Sequence, residues 1–171
     1  RCALVVTGRT ETGAQEHFYL ETQAALAEPR EDATLRVHSA TQAPTAVQKH
    51  TARVLGLPMH AIEVDVRRLG GAFGGKEDQA TPWAAICALG AHLTGRAVRL
   101  VLDRREDLVM TGKRHPYSAD FELGLDDDGR ILAYEVVLYQ NAGSAADLSP
   151  AVLERSLFHV TGSYAIPNVR A

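Results

Sequence analysis

Apolar and polar residues alternate at Thr34-Leu35-Arg36-Val37-His38 and again at Tyr117-Ser118-Ala119-Asp120-Phe121-Glu122-Leu123. A period of two places one set of side chains on each face of a half-buried strand. Ile62 to Val66 and Val98 to Leu102 are shorter β-type runs, and Phe18 to Leu26 favours an extended segment closed by a polar turn at Glu28-Pro29-Arg30-Glu31-Asp32. Thr41-Gln42-Ala43-Pro44 reads as a helix start, with proline tolerated in the first turn; the helix runs to Leu55 and stops at Gly56, with Pro58 beyond. Residues Thr81 to Leu93, rich in Ala, Ile and Leu and holding Trp83, predict a largely buried helix that stops at Gly95. Arg104 to Met110 is a charged turn or helix. Asp126-Asp127-Asp128-Gly129 is a hairpin turn whose partner strand is Ile131 to Tyr139. Ser149-Pro150 opens a final helix carrying Arg155. Hairpin-paired strands with separate helices predict an α+β fold of mixed strands and packed helices.

The length, 171 residues, suits one domain, and a hydrophobic content of 46% is enough to bury a sizeable core. A net charge of −3, with basic residues scattered, argues against nucleic acid as a partner. No apolar run approaches the ~20 residues of a membrane span. The start, Arg1-Cys2-Ala3-Leu4-Val5-Val6-Thr7, has neither Met nor a signal-peptide core, and the chain ends at Asn168-Val169-Arg170-Ala171 without a terminating signal. These features lead to the expectation that residues 1–171 are a single segment of a longer polypeptide, truncated at both ends. Cys2 and Cys87 form no CxxC pair and no disulfide framework, which fits a reducing, cytoplasmic setting.

The chemistry concentrates at Gly70-Gly71-Ala72-Phe73-Gly74-Gly75-Lys76-Glu77, between a strand and a helix. Glycine permits positive φ and close approach to the main chain. A loop of this kind offers N–H groups to an anion or an oxo group. Phe73 adds an apolar wall and Glu77 a hydrogen-bonding carboxylate, a pairing that suits a negatively charged cofactor meeting a flat organic substrate. The loop is not a P-loop, because Lys76 precedes Glu77 rather than Ser or Thr, and it fails GxGxxG. On pattern alone, Gly74-Gly75 serve equally for tight helix–strand packing.

Two further residues have both a bland and a chemical reading. Gln42, in a helix's first turn, is either a solvated polar residue or an amide donor to a metal-bound oxygen alongside the loop. Arg155, in Leu153-Glu154-Arg155-Ser156-Leu157, is either a solvated helix face or a guanidinium opposing Glu77 across a planar heterocycle. The seven histidines show no HxH or HExxH spacing, so direct metal ligation is not indicated. Asp126-Asp127-Asp128-Gly129 lacks the closing Glu of a calcium loop. No Ser or Cys lies in a nucleophile elbow.

Several segments together resemble the molybdenum-binding part of the xanthine dehydrogenase (xanthine oxidase/aldehyde oxidase) family. Gly13-Ala14-Gln15-Glu16-His17-Phe18-Tyr19-Leu20-Glu21 is similar to its GGQEHFYLE stretch, and Ser39-Ala40-Thr41-Gln42 to a short S-T-Q motif. Gly70 to Glu77 resembles GGGFGGKE, and Thr111-Gly112-Lys113-Arg114-His115-Pro116 resembles TGxRHP. Glu154-Arg155-Ser156-Leu157-Phe158-His159, followed by Tyr164-Ala165-Ile166-Pro167-Asn168, is similar to ERALFH…YKIPN. The departures are Ala14 and Ala72 for glycines and Ala40 for a serine.

The resemblance implies a molybdopterin cofactor contacted by Gln42, Phe73, Gly71, Ala72 and Gly74. Gln42 and Phe73 would lie around the metal through its oxygen ligands rather than as ligands themselves, since the pterin's sulfurs hold the metal. Glu77 and Arg155 fall where the xanthine enzymes bind the purine and assist its oxidation, by Mo–OH attack and hydride transfer, from hypoxanthine and xanthine to urate. The family's general base lies beyond Ala171. FAD and 2Fe–2S groups are expected on other segments or subunits, in an oligomeric enzyme of purine catabolism, with the isolated segment inactive. The alternatives are an aldehyde or other N-heterocycle oxidoreductase with the same cofactor, and a non-catalytic fragment serving in binding or assembly.

Overall fold

In a computed structural model describing residues 2–171, the strands are β1 (Leu4–Thr12), β2 (Ala24–Pro29), β3 (Leu35–Ser39), β4 (Ile62–Asp65), β5 (Val98–Val101), β6 (Tyr117–Leu125), β7 (Ile131–Gln140) and β8 (Asn168–Arg170). The helices are α1 (Pro44–Leu55), α2 (Thr81–Thr94), α3 (Arg104–Met110) and α4 (Ser149–Phe158). The described residues pack as two compact units, Glu16–Lys113 in one and residues 2–15 with Arg114–Ala171 in the other. The α+β character read from the sequence holds in both.

The first unit is a mixed sheet in the order β4-β3-β2-β5, packed against α1 and α2. β3 and β4 are parallel neighbours joined through α1, with Leu35 opposite Ile62 and His38 opposite Asp65. The helix ends at Leu55 as predicted, with Gly56 beyond it in the left-handed conformation at φ 67°. It begins at Pro44 with Ala43 as its N-cap, however, so Gln42 lies in the connection before the helix rather than in its first turn. β2 and β3 are antiparallel, and the turn between them contains a short 3-10 segment, Glu31–Ala33. Asp103 and Glu106 form a capping box that makes a true helix of α3.

α2 buries Ala84, Cys87, Ala88 and Ala91, a stripe at helical spacing. These small side chains meet Ala25 and Ala27 of β2 in the same core, so helix and sheet approach closely. The expectation of a largely buried helix is therefore corrected. Ile86, Leu89 and Leu93 are exposed, because only one side of α2 faces a sheet. The extended run at Phe18 is corrected as well: the strand starts only at Ala24, and Phe18 takes φ 51°. The Tyr19 and Leu20 carbonyls and the Gln23 N–H bond to side chains of α3, while the Gln23 carbonyl accepts from the Leu102 N–H just beyond β5.

The second unit is a sheet in the order β1-β6-β7-β8. The Asp126–Gly129 hairpin forms as predicted. Gly129 has φ 79°, and the Asp126 carboxylate accepts from the N–H groups of Asp128 and Arg130. β1 and β8 were not legible in the sequence. All nine residues of β1 are exposed and show no alternation; pairing with β6, Leu4 opposite Leu125, makes it a strand. β8 has three exposed residues and depends on β7. α4 carries Arg155, and Ser156 of the same helix shares a 2.9 Å hydrogen bond with the Tyr117 hydroxyl of β6.

The close contact of α2 with β2 yields a prediction. Ala88 is wholly buried in the small-residue stripe, so Ala88→Leu should overpack it and destabilise by about 1–3 kcal/mol. The same change at exposed Ile86 should alter stability by less than about 0.5 kcal/mol. Urea unfolding of the two variants would show the contrast; equal midpoints would place the core elsewhere.

Candidate functional site

The glycine loop is shaped by two distinct uses of glycine. Gly71 and Gly74 take φ 92° and 87°. At Gly70 a Cβ would come within 2.5 Å of the Glu21 side chain, and at Gly75 one would lie 2.7 Å from the His17 ring and 2.8 Å from the Tyr19 ring. Loop and segment 17–21 are thus in backbone-to-side-chain contact, which only glycine allows. Ala72 is buried and lies outside the positive-φ set, so its methyl is accommodated without strain. Phe73 is 63% exposed and has φ 53°, an uncommon conformation for an aromatic residue that turns the loop back on itself.

Gln42 lies against this loop. Its connection leaves the carboxyl end of β3 and the glycine loop follows the carboxyl end of β4; because those strands are parallel neighbours, the two loops are adjacent. The Gln42 Oε1 accepts from the N–H of Gly74 at 3.1 Å and of Lys76 at 3.2 Å. The Gln42 N–H donates to the Lys76 carbonyl at 2.8 Å, which also accepts from Thr41 Oγ1 at 3.1 Å. With its oxygen engaged, exposed Gln42 presents its amide nitrogen as a donor. The expectation that the loop offers its N–H groups to a ligand is corrected in part. Those of Gly70, Gly74, Gly75 and Lys76 are already taken by Glu21, Gln42 and Ala72.

Beneath the loop lies a buried polar cluster. Lys76 is 0% exposed; its Nζ donates to Glu21 Oε2 at 3.0 Å and sits 4.6 Å from the Tyr19 ring centroid. Burial lowers its pKa, and the Glu21 carboxylate partly restores it. Tyr19 Oη donates to Asp107 Oδ1 at 2.6 Å, while Asp107 Oδ2 accepts from the Gln23 N–H at 2.6 Å. Gln23 Nε2 reaches both Tyr19 Oη, at 3.1 Å, and the Gly75 carbonyl, at 3.0 Å. Arg104 caps the Tyr19 and Leu20 carbonyls at 2.6 and 2.7 Å. Sequence reasoning missed Glu21, Gln23 and Asp107 as supports of the loop, and weighed Lys76 only as a phosphate ligand. The one available signal was a lysine in a run otherwise made of glycine and apolar residues, which must either reach solvent or find a carboxylate.

Glu77, half-buried, closes the same loop, so one unit gathers Gln42, Gly71, Ala72, Phe73, Gly74 and Glu77. Arg155 is exposed on α4 and belongs to the other compact unit. Among the described residues, no three His, Cys, Asp or Glu side chains gather as metal ligands, and no helix is long and apolar enough to cross a membrane. An exposed amide with its oxygen engaged and its N–H groups left as donors fits a cofactor whose own atoms hold its metal.

The loop pair thus lies at the carboxyl ends of two parallel neighbouring strands. The chain belongs to the Molybdopterin cofactor-binding domain family, whose profile matches residues 1–171. It is 44% identical over 167 residues to a xanthine dehydrogenase/oxidase of Rattus norvegicus, covering 97% of this chain and 12% of the relative. It is 43% identical over 169 residues to a nicotinate hydroxylase of Emericella nidulans, covering 98% and 12%. The fold matches an aldehyde oxidoreductase from Desulfovibrio gigas with TM-score 0.88 and 26% identity, over 99% of this chain and 18% of that one. The chain thus spans about an eighth of the length of these curated relatives.

The buried phenol generates a pH prediction. Desolvation, then the hydrogen bond to Asp107, raises Tyr19 from 10.0 to about 12. A raised folded-state pKa stabilises fully below the unfolded value and is lost as pH rises through the folded one. Stability should therefore fall between pH 10 and about pH 12, and Tyr19→Phe should flatten that fall relative to the parent. Chemical unfolding across this range measures it; parallel pH profiles for the two proteins would contradict it.

Proposed function

We propose that this chain is the part of a molybdenum hydroxylase that faces the cofactor and the substrate, in an enzyme oxidising hypoxanthine and xanthine to urate. The observation that carries the reading is the exposed Gln42 side chain, fastened through its oxygen to the N–H groups of Gly74 and Lys76 in the loop that also carries Phe73 and Glu77, so that its amide N–H groups are left for a ligand. Relatives named xanthine dehydrogenase from several organisms support the purine assignment.

The molybdopterin, when bound, supplies the redox and oxygen-transfer chemistry. Gln42 Nε2 would donate a hydrogen bond to an acceptor oxygen of the cofactor and fix its orientation. Phe73 would exclude water from one side and set the plane in which a flat ring enters. The Glu77 carboxylate would accept from ring N–H groups. Arg155 would stabilise negative charge as it builds on the heterocycle, where a positioned cation is most effective. Iron–sulfur and flavin groups that accept electrons would be held outside this chain, in an oligomeric, cytoplasmic enzyme. The general base would also come from the rest of the polypeptide.

A second reading, hydroxylation of an aldehyde or another N-heterocycle, is favoured by the likeness to the nicotinate hydroxylase and to the aldehyde oxidoreductase fold. Glu77 and Arg155 discriminate the two, since an aldehyde needs neither anchor. In the full-length enzyme, Arg155→Met should lower kcat/KM for xanthine by about 10²–10³. Glu77→Val should weaken purine turnover and shift preference towards an aromatic aldehyde. Steady-state kinetics with xanthine and with benzaldehyde test this. Xanthine turnover that stays within a few fold in both variants would reject the purine roles.

A further inference from the structure

Glu21 holds the glycine loop at both ends. Its N–H donates to the Gly70 carbonyl at 2.9 Å, and its Oε2 accepts from the Gly70 N–H at 2.9 Å and from Lys76 Nζ at 3.0 Å. One carboxylate oxygen therefore ties the first residue of the loop to the seventh. Lys76 in turn carries the contacts that orient Gln42: its carbonyl takes the Gln42 N–H and its own N–H goes to Gln42 Oε1. The ammonium is wholly buried, whereas the Glu21 side chain is 38% exposed. Lys76 has little alternative to this partner, and its backbone is placed by where Glu21 stands.

We infer that Glu21 is a positioning residue for Gln42, acting through the buried Lys76 ion pair to aim the amide donor at the cofactor. The inference rests on the proposed role of Gln42. It adds that the aim of the amide is set by a carboxylate that does not touch it. Tyr19, with Asp107 and Gln23, forms the other wall of the cluster: the Tyr19 ring lies against Lys76 and Gln23 Nε2 holds the Gly75 carbonyl. Lys76 is therefore constrained from below as well as along the chain. A change in the Glu21 charge should move the segment from Gly74 to Lys76, whose N–H groups bond to the Gln42 side-chain oxygen.

The test is a double-mutant cycle in the full-length, cofactor-loaded enzyme, with kcat normalised to molybdenum content from elemental analysis. Gln42→Ala should lower kcat by about 10². Glu21→Gln, which keeps an acceptor for the Gly70 N–H, should lower it by about tenfold through mispositioning. In the Gln42→Ala background, Glu21→Gln should have no further effect, since the group it aims is gone; a purely structural role would give multiplying losses. Glu21→Gln combined with Lys76→Met removes both charges, so folding does not depend on an unpaired ammonium, and should show the same loss and the same non-additivity. Hydrogen exchange at the Gly74 and Lys76 amides, which bond to Gln42, should quicken in the Glu21 variants. Multiplying losses, or unchanged kcat and exchange in both Glu21 variants, overturn the inference. An inert Gln42→Ala variant overturns the proposed site itself.

Discussion

The site depends on one constraint: a lysine ammonium removed from water must be held. Lys76 is completely buried beneath a glycine loop, and desolvation disfavours its charged form and lowers its pKa. The fold surrounds it with a set balanced in formal charge, Lys76 and Arg104 against Glu21 and Asp107, with the Tyr19 ring alongside. Each member also holds backbone. Glu21 takes Gly70, Asp107 takes Gln23, Arg104 takes Tyr19 and Leu20, and Lys76 takes Gln42. Hydrogen bonds of this kind are worth most where both partners are desolvated and leaving either unmade is costly. The cluster therefore acts as a rigid floor for the loop above.

That floor explains how the loop can be irregular. Phe73 is held in a left-handed conformation that costs roughly 1–2 kcal/mol for a residue with a side chain. Gly71 and Gly74, on either side of it, also take positive φ. A loop free to relax would not keep this geometry. Strain of this sort persists where the surroundings over-determine the backbone, and such places are often functional. Here the result is an exposed Phe73 side chain on a loop whose amides hold the oxygen of exposed Gln42.

Topology supplies the other half. A strand, a helix and a second parallel strand bring both connecting loops to the same sheet end. In sheets of this kind ligands gather outside the carboxyl ends of the strands. Gln42 and the glycine loop occupy such positions, and the hydrogen bonds of Gln42 Oε1 fasten the two loops into one surface.

Much of this was legible in local chemistry. Pro44 and Gly56 bound α1, Gly95 ends α2, and Asp126 to Gly129 turn the β6–β7 hairpin; each signal acts within a few residues, so no distant partner was needed. The glycine loop and Gln42 were likewise visible as residue types. What the chain alone did not show is everything resting on long-range pairing. β1 is a strand only because β6 lies beside it, and the outer side of α2 is exposed only because a sheet covers one face. The bond from Tyr19 to Asp107 joins residues 88 apart, and Glu21 meets Lys76 across 55. Periodicity and spacing carry no record of such contacts, because they arise when separate elements close on one another. The sequence by itself determined the local turns, the helix ends and the inventory of chemical groups. Tertiary structure alone decided which carboxylate neutralises Lys76 and which loop amides hold the Gln42 oxygen, because both depend on separate elements closing on one another.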